Sequence, residues 1–187
     1  MTFEEKTISS ERIYEGAILN LRRDKVEVIN GRTSYREIVE HNGGVAMIAM
    51  KDDGKVIMIK QFRKPIEKVI MEIPAGKIEK GEDPYQTAVR ELKEETGYTA
   101  GKIEFLTKFY PSVGYSMEAL YIYLCTDLVQ GATEFDENEA LDIFEMDLDE
   151  LFKMTVNGEV EDGKTAIGLM QAWARLKLKS KELSSNR

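Results

Sequence analysis

The chain has 187 residues, and its 34 acidic and 26 basic side chains give a formal charge of −8, which argues against nucleic acid or an anionic membrane as the main partner. With 42% hydrophobic and 32% charged residues it is not a disordered chain, and its length suits roughly one domain with a small extension. Its single cysteine, Cys125, excludes an internal disulfide and a cysteine-built zinc site.

The opening MTFEEKTISS carries two glutamates and no apolar h-region. Apolar runs such as 45–50 are far shorter than the ~20 residues of a membrane helix, so a reducing, cytoplasmic setting is expected. The first forty residues read as strands: 25–29 alternates, Asn30-Gly31 is a type I′ hairpin signal, and 33–40 returns. His41-Asn42-Gly43-Gly44 marks a boundary between an N-terminal β subdomain, 1–42, and a main domain, 43–187. Strands are expected at 44–50, at 55–62 across the turn Asp52-Asp53-Gly54, and at 68–73, where Pro74 ends the run.

A helix follows with local signals at both ends. Asp83 suits the N-cap, Pro84 the first helical position and Gln86 a capping-box-like pattern, while Gly97 provides a left-handed stop. Tyr85, Ala88, Val89 and Leu92 form its apolar stripe. Beyond it, strands are expected at 102–110 and 118–125, an acidic loop at 134–139, a strand at 141–146 and a short helix at 147–155. A longer amphipathic helix at 165–178 should bury Ile167, Met170, Trp173 and Leu176, and the tail 180–187 should fray.

The capped helix carries Glu91, Glu94 and Glu95 at i, i+3 and i+4, which stacks three carboxylates on one face. They repel one another unless a cation intervenes, and a hard divalent ion prefers carboxylate oxygens. Glu82 lies just before the helix, and Arg90 sits among the acids, able to orient one of them by a charge-assisted bond. A solvated acidic face is the plain alternative. The wider spacing decides against it. The residues run Gly76-x5-Glu82-x7-Arg90-Glu91-Leu92-x-Glu94-Glu95-x-Gly97-Tyr98, and the seven fixed identities of that pattern coincide by chance on the order of 10⁻⁹ per starting point.

This is the Nudix box, and the chain resembles the Nudix hydrolases, with Tyr98 departing from the commoner aliphatic residue. The resemblance implies an α/β fold: a Nudix-type α/β/α sandwich with a mixed sheet, here with a small N-terminal antiparallel β extension. It also implies cleavage of a nucleoside diphosphate linked to another group, with Mg²⁺ or Mn²⁺ and a water nucleophile. By the same resemblance Glu91 and Glu95 are the principal metal ligands and act in catalysis, Glu94 assists, and the carbonyl of Ala75 joins them. Glu82 and Arg90 hold the loop to the helix.

A narrower resemblance covers residues 4–178. Arg36-Glu37-Ile38-Val39, Gln61-Phe62-Arg63, Glu72-Ile73-Pro74-Ala75-Gly76 and Asp136-Glu137-Asn138-Glu139 are similar to segments of the ADP-ribose pyrophosphatases, which release AMP and ribose 5-phosphate. It implies that Arg36 and Arg63 contact the diphosphate or adenosine side and that Glu72 meets the adenine edge. Glu139 becomes the general base, with Glu137 the neighbouring candidate. Downstream of the box the subfamily reads Ser-Pro-Gly and ends in Glu. Gly114 and Glu118 fit, and Gly114 is placed at the substrate, but Val113 replaces the proline, which leaves another nucleoside diphosphate sugar such as GDP-mannose as the alternative substrate. A non-catalytic Nudix-like binding domain is a third reading, opposed by the intact box. The family's homodimers imply that the N-terminal strands pack on a second copy.

Other motifs carry less. Gly158 to Thr165 satisfies the P-loop expression, but a helix is expected before it and Glu159, Glu161 and Asp162 would put negative charge in a phosphate cradle. A loop capping the last helix through Asp162 or Thr165 explains it better. Asp136-x-Asn138 opens like an EF-hand loop but lacks the later glycine and glutamate. His41, the only histidine, and Cys125 read as structural.

Overall fold

The computed structural model describes residues 3–131 and 141–185, which divide into two compact units, Met1–Gly43 with Tyr110–Ala119 and Gly44–Phe109 with Leu120–Arg187.

In the first unit β1 (Lys6–Glu15), β2 (Asn20–Glu27) and β3 (Thr33–Glu40) form an antiparallel sheet in chain order. A two-residue turn at Asn30-Gly31 does not form. Glu27 pairs with Thr33, and a 3₁₀ turn at Ile29–Gly31 fills the gap, closed by Val28 N–H donating to Arg32 O at 2.8 Å. A type I′ turn needs positive φ at two successive residues, and here only Gly31 adopts it, at +70°. His41 serves this unit: its Nδ1 accepts the Gly43 N–H at 3.0 Å and lies 3.8 Å from Glu118.

The second unit is built around β4 (Gly44–Ala49), buried at all six positions. It lies in a mixed four-stranded sheet of order β7 (Ala75–Lys77), β4, β9 (Leu120–Gln130), β8 (Tyr98–Phe109), with β4 and β9 parallel. A second, antiparallel sheet has the order β10 (Leu141–Asp147), β5 (Lys55–Arg63), β6 (Lys68–Glu72). Side chains of β4 alternate between two cores. Ala46 and Ile48 pack in a cluster with Leu148 and Leu151 of α2 (Leu148–Val156) and with Leu169 and Ala172 of α3 (Gly163–Ser185). Val45, Met47 and Ala49 pack in another with Ala88 and Leu92 of α1 (Pro84–Thr96). Helices thus cover both faces of β4, which is why its sequence is a continuous apolar run rather than an alternating one.

The helix ends follow their caps. The Asp83 carboxylate accepts from Tyr85 N and Gln86 N at 2.9 and 3.4 Å, and Gly97, at φ 74°, donates its N–H to Lys93 O at 2.8 Å. Along α1 the buried line is Thr87, Ala88, Leu92, Glu95 and Thr96, while Tyr85 and Val89, expected inside, are exposed. Helix α3 differs more. It runs through Ser185 instead of fraying at 180, and Met170, expected inside, is 47% exposed. Its contact line passes through Thr165, Gly168, Leu169 and Ala172 instead. A Cβ on Gly168 would stand 3.1 Å from both Ile48 and Ile73, so the helix approaches the sheet along its small residues, and Ile167, Trp173 and Leu176 flank that line half-buried. Cys125 is fully buried on β9, and burial pushes its thiol up to about 12, which makes it inert at neutral pH. Among the described residues no helix is long and apolar enough to cross a membrane.

Candidate active site

The short β7 was not expected from sequence, and it positions the site. Its Ala75 and Gly76 pair with Ala46 and Val45 of the central strand, and Met47 N–H donates to Pro74 O at 2.9 Å. Helix α1 presents its acidic face to this backbone. Glu95, only 6% exposed, accepts the Ala75 N–H on Oε2 at 2.9 Å. Glu91 lies so close to Gly76 that a Cβ there would fall within its carboxyl group. The glycine is required by this close approach, and its φ is not in the left-handed region.

Arg90 gathers the remaining acids. Its Nε and Nη2 donate to the two oxygens of Glu82 at 3.1 Å each, and its Nη1 donates to Glu91 at 2.8 Å and Glu94 at 2.9 Å. The bonds from Arg90 hold the Glu82 carboxyl down at about 2, against its ordinary 4.5, with the Glu79 N–H also donating to it. Because the folded value is depressed, this contribution to stability is complete above about pH 4.5 and is lost as the pH falls toward 2. Acid unfolding followed by circular dichroism should therefore show a shallower loss of stability across that window in Glu82→Gln than in the parent. Equal slopes would disprove the coupling.

The donor set suits a hard divalent ion. Glu91, Glu94 and Glu95 offer only oxygens, two of them against bare backbone at Ala75 and Gly76. Among the described residues no three His, Cys, Asp or Glu side chains are already drawn together at cation-holding distance; the cation that gathers the box carboxylates in this arrangement is the Arg90 guanidinium.

Arg63 and Glu72 are brought together, but on each other. The Glu72 side chain is fully buried; its Oε1 accepts from Arg63 Nε at 2.6 Å, and its Oε2 accepts from Arg63 Nη2 at 2.7 Å and from the Lys164 ammonium. Burial pushes the Glu72 carboxyl up, yet these bonds outweigh it and leave it below the ordinary carboxylate range. The Arg63 guanidinium is raised first by Glu72 and further by the charges of Asp162 and Glu95. Sequence reasoning missed Lys164, although it stands in the P-loop-like segment. That segment does cap a helix: Asp162 accepts the Thr165 N–H at 3.0 Å, and α2 rather than a strand precedes it.

Arg36 lies on β3 of the first unit, half-buried, with Nε donating to Glu5 at 2.8 Å and Nη1 to Ser34 Oγ and Tyr35 O at 3.0 Å each. Gly114 belongs to a turn in the same unit, and the place of a Cβ on it is open space. Glu137, Glu139, Asp136 and Asn138 lie outside the described residues.

Residues 40–166 match the NUDIX domain family, and residues 5–39 match the Nucleoside diphosphate sugar hydrolase N-terminal domain. The chain belongs to the Nudix family. It is 48% identical over 170 residues to the ADP-ribose pyrophosphatase of Bacillus subtilis (strain 168), covering 90% of this chain and 92% of the relative. It is 45% identical over 181 residues to the Methanol dehydrogenase activator of Bacillus methanolicus, covering 96% and 98%. A crystal structure of ADP compounds hydrolase superposes with a TM-score of 0.83 over 94% of this chain and 96% of that one, at 23% identity, a likeness of fold. Nudix hydrolases generally need a divalent metal. In this Nudix chain Gly76 gives room to one box carboxylate, Arg90 ties the loop to the helix, and Glu95 is buried against the strand before the loop.

Proposed function

We propose that the chain hydrolyses the diphosphate bond of ADP-ribose to AMP and ribose 5-phosphate, using Mg²⁺, with Mn²⁺ as a substitute, in the cytoplasm. The observation that carries this reading is the pair of carboxylates drawn onto the Ala75-Gly76 backbone, Glu95 by a hydrogen bond and Glu91 by the missing side chain, in a chain 48% identical to an ADP-ribose pyrophosphatase.

Glu91 and Glu95 would hold the ion, with Glu94 and the Ala75 carbonyl assisting. When bound, a divalent ion neutralises diphosphate charge and lowers the pKa of water. Glu82 and Arg90 keep the loop and helix in register. Arg63, with 38% of its side chain exposed, is suited to a diphosphate oxygen, and a guanidinium fork matches that geometry. Glu72, first expected at the adenine edge, has both oxygens bonded and no exposed surface, so we read it as the anchor of Arg63. Arg36 is assigned to the substrate's diphosphate or adenosine side, Gly114 to the loop that meets the sugar, and Glu139 to the general base, with Glu137 beside it.

The active form is read as a homodimer. Strand β1 is exposed along its whole length, with Ile8, Ile13 and Tyr14 about half exposed on an edge strand that a second copy would cover. Light scattering at micromolar concentration should give twice the chain mass; a fully active monomer would contradict it.

A panel of nucleoside diphosphate sugars at fixed Mg²⁺ tests the substrate. ADP-ribose should give the highest kcat/KM, with AMP as product. A preference for GDP-mannose would transfer the assignment to that substrate, in line with the exposed Val113 standing in place of proline.

A further inference from the structure

Asp162, Lys164 and Thr165, at the start of α3, have no part in the chemistry above, yet they are bonded into the strand that leads to it. The buried Thr165 hydroxyl accepts the Ile73 N–H at 2.9 Å and donates to Asp162 Oδ2 at 2.5 Å. The Lys164 ammonium bonds the buried Glu72 carboxylate and lies 3.0 Å from Asp162. Capping a helix needs only the bond from Asp162 to the Thr165 N–H. The bonds of Thr165 to Ile73 and of Lys164 to Glu72 each reach across 92 positions in sequence. Two residues further on, a span of roughly 7 Å in extended chain, the Ala75 N–H is held by Glu95, and next to it Gly76 receives Glu91.

We infer that Asp162, Lys164 and Thr165 form a positioning device that fixes the Glu72-Ile73 segment from behind and so sets the Ala75-Gly76 backbone against the two carboxylates that hold the divalent ion. This rests on the metal-dependent reading given above. Groups bonded directly to metal ligands typically change metal affinity or activity by about 10–100-fold when removed, and a device acting through two further residues of backbone is expected at the lower end of that range. The bland alternative, a helix start that merely adds stability, would lower the melting temperature and leave ion affinity and kcat in the folded protein unchanged.

The test is Thr165→Val, which keeps the side-chain shape, removes the hydroxyl and leaves the Ile73 N–H without its partner, compared with Thr165→Ser. In the full chain, Mn²⁺ affinity is measured by the electron paramagnetic resonance of free Mn²⁺, and kcat and KM with ADP-ribose. Thr165→Val should bind Mn²⁺ about 10-fold more weakly and lose kcat by a similar factor with KM within about twofold, and Thr165→Ser should restore both. Lys164→Met is the second variant, should Thr165→Val not fold, and should show the same signature. A folded Thr165→Val or Lys164→Met with parental Mn²⁺ affinity and kcat would overturn the inference, as would Thr165→Ser as impaired as valine. If the parent binds Mn²⁺ but cleaves no nucleoside diphosphate sugar, the proposed function fails, while the Mn²⁺ affinities of the variants still decide the positioning role.

Discussion

Glu95→Gln should leave the fold intact and reduce turnover by about 10²–10³-fold, the scale on which removal of one group that organises transition-state charge is felt. The two halves of that expectation have separate causes. The glutamine carbonyl can still accept the Ala75 N–H that Glu95 accepts at 2.9 Å, so the bond between helix and loop survives. Replacing a nearly buried carboxylate, 6% exposed, by a neutral amide also removes a desolvation cost rather than adding one. What disappears is the negative charge a divalent ion needs from a hard oxygen ligand. Thermal melting would establish the first half and AMP release at saturating Mg²⁺ the second. Parental turnover would remove Glu95 from the site and with it the central argument for the chemistry.

Gly76→Ala should damage the site with a single methyl group. The added carbon would fall inside the Glu91 carboxyl, and the backbone cannot yield, because Gly76 is paired with Val45 on the fully buried central strand. Glu91 must therefore swing away. Its side chain is mostly shielded, so rearrangement should cost about 1–3 kcal/mol of stability, as for other overpacked sites, and metal affinity and kcat should fall by about 10–100-fold, as when ligand geometry is disturbed. Gly114→Ala is the contrast. The methyl meets nothing within 4 Å and φ is not left-handed, so the melting temperature should barely change. Calorimetry on both variants, with a Mn²⁺ titration of the first, would check the pair. A Gly76→Ala protein with parental Mn²⁺ affinity would show that Glu91 does not depend on the glycine.

What could be read from the residues alone follows from how local each cause is. Helix α1 was legible almost to the residue, because Asp83, Pro84 and Gly97 act on their immediate neighbours. The acidic ladder was legible for the same reason, since i, i+3 and i+4 share a helix face whatever the rest of the fold does. Strand β7 was not, because three residues become a strand only by pairing with β4, some thirty positions earlier. The contact line of α3 was misplaced because Gly168 and Ala172 let the helix approach, while periodicity is read from large side chains such as Met170. From the sequence, Arg63 and Glu72 read as separate substrate contacts and Lys164 as part of a P-loop-like segment. Their union is a product of tertiary structure, with the lysine arriving from 92 positions away to meet a carboxylate that β5 had already paired with arginine.

Strand β4, closed in by helices on both sides, has a bearing on how the enzyme spends its thermal motion. A segment so enclosed exchanges its amide hydrogens only when the whole domain opens, and the turn carrying Ala75 and Gly76 is stitched directly to it. The backbone proposed to face the ion thus hangs from a strand buried at every position. An incoming ion would meet a backbone already fixed by strand pairing and would have only side chains, Glu91 and Glu94 now on Arg90, to draw in.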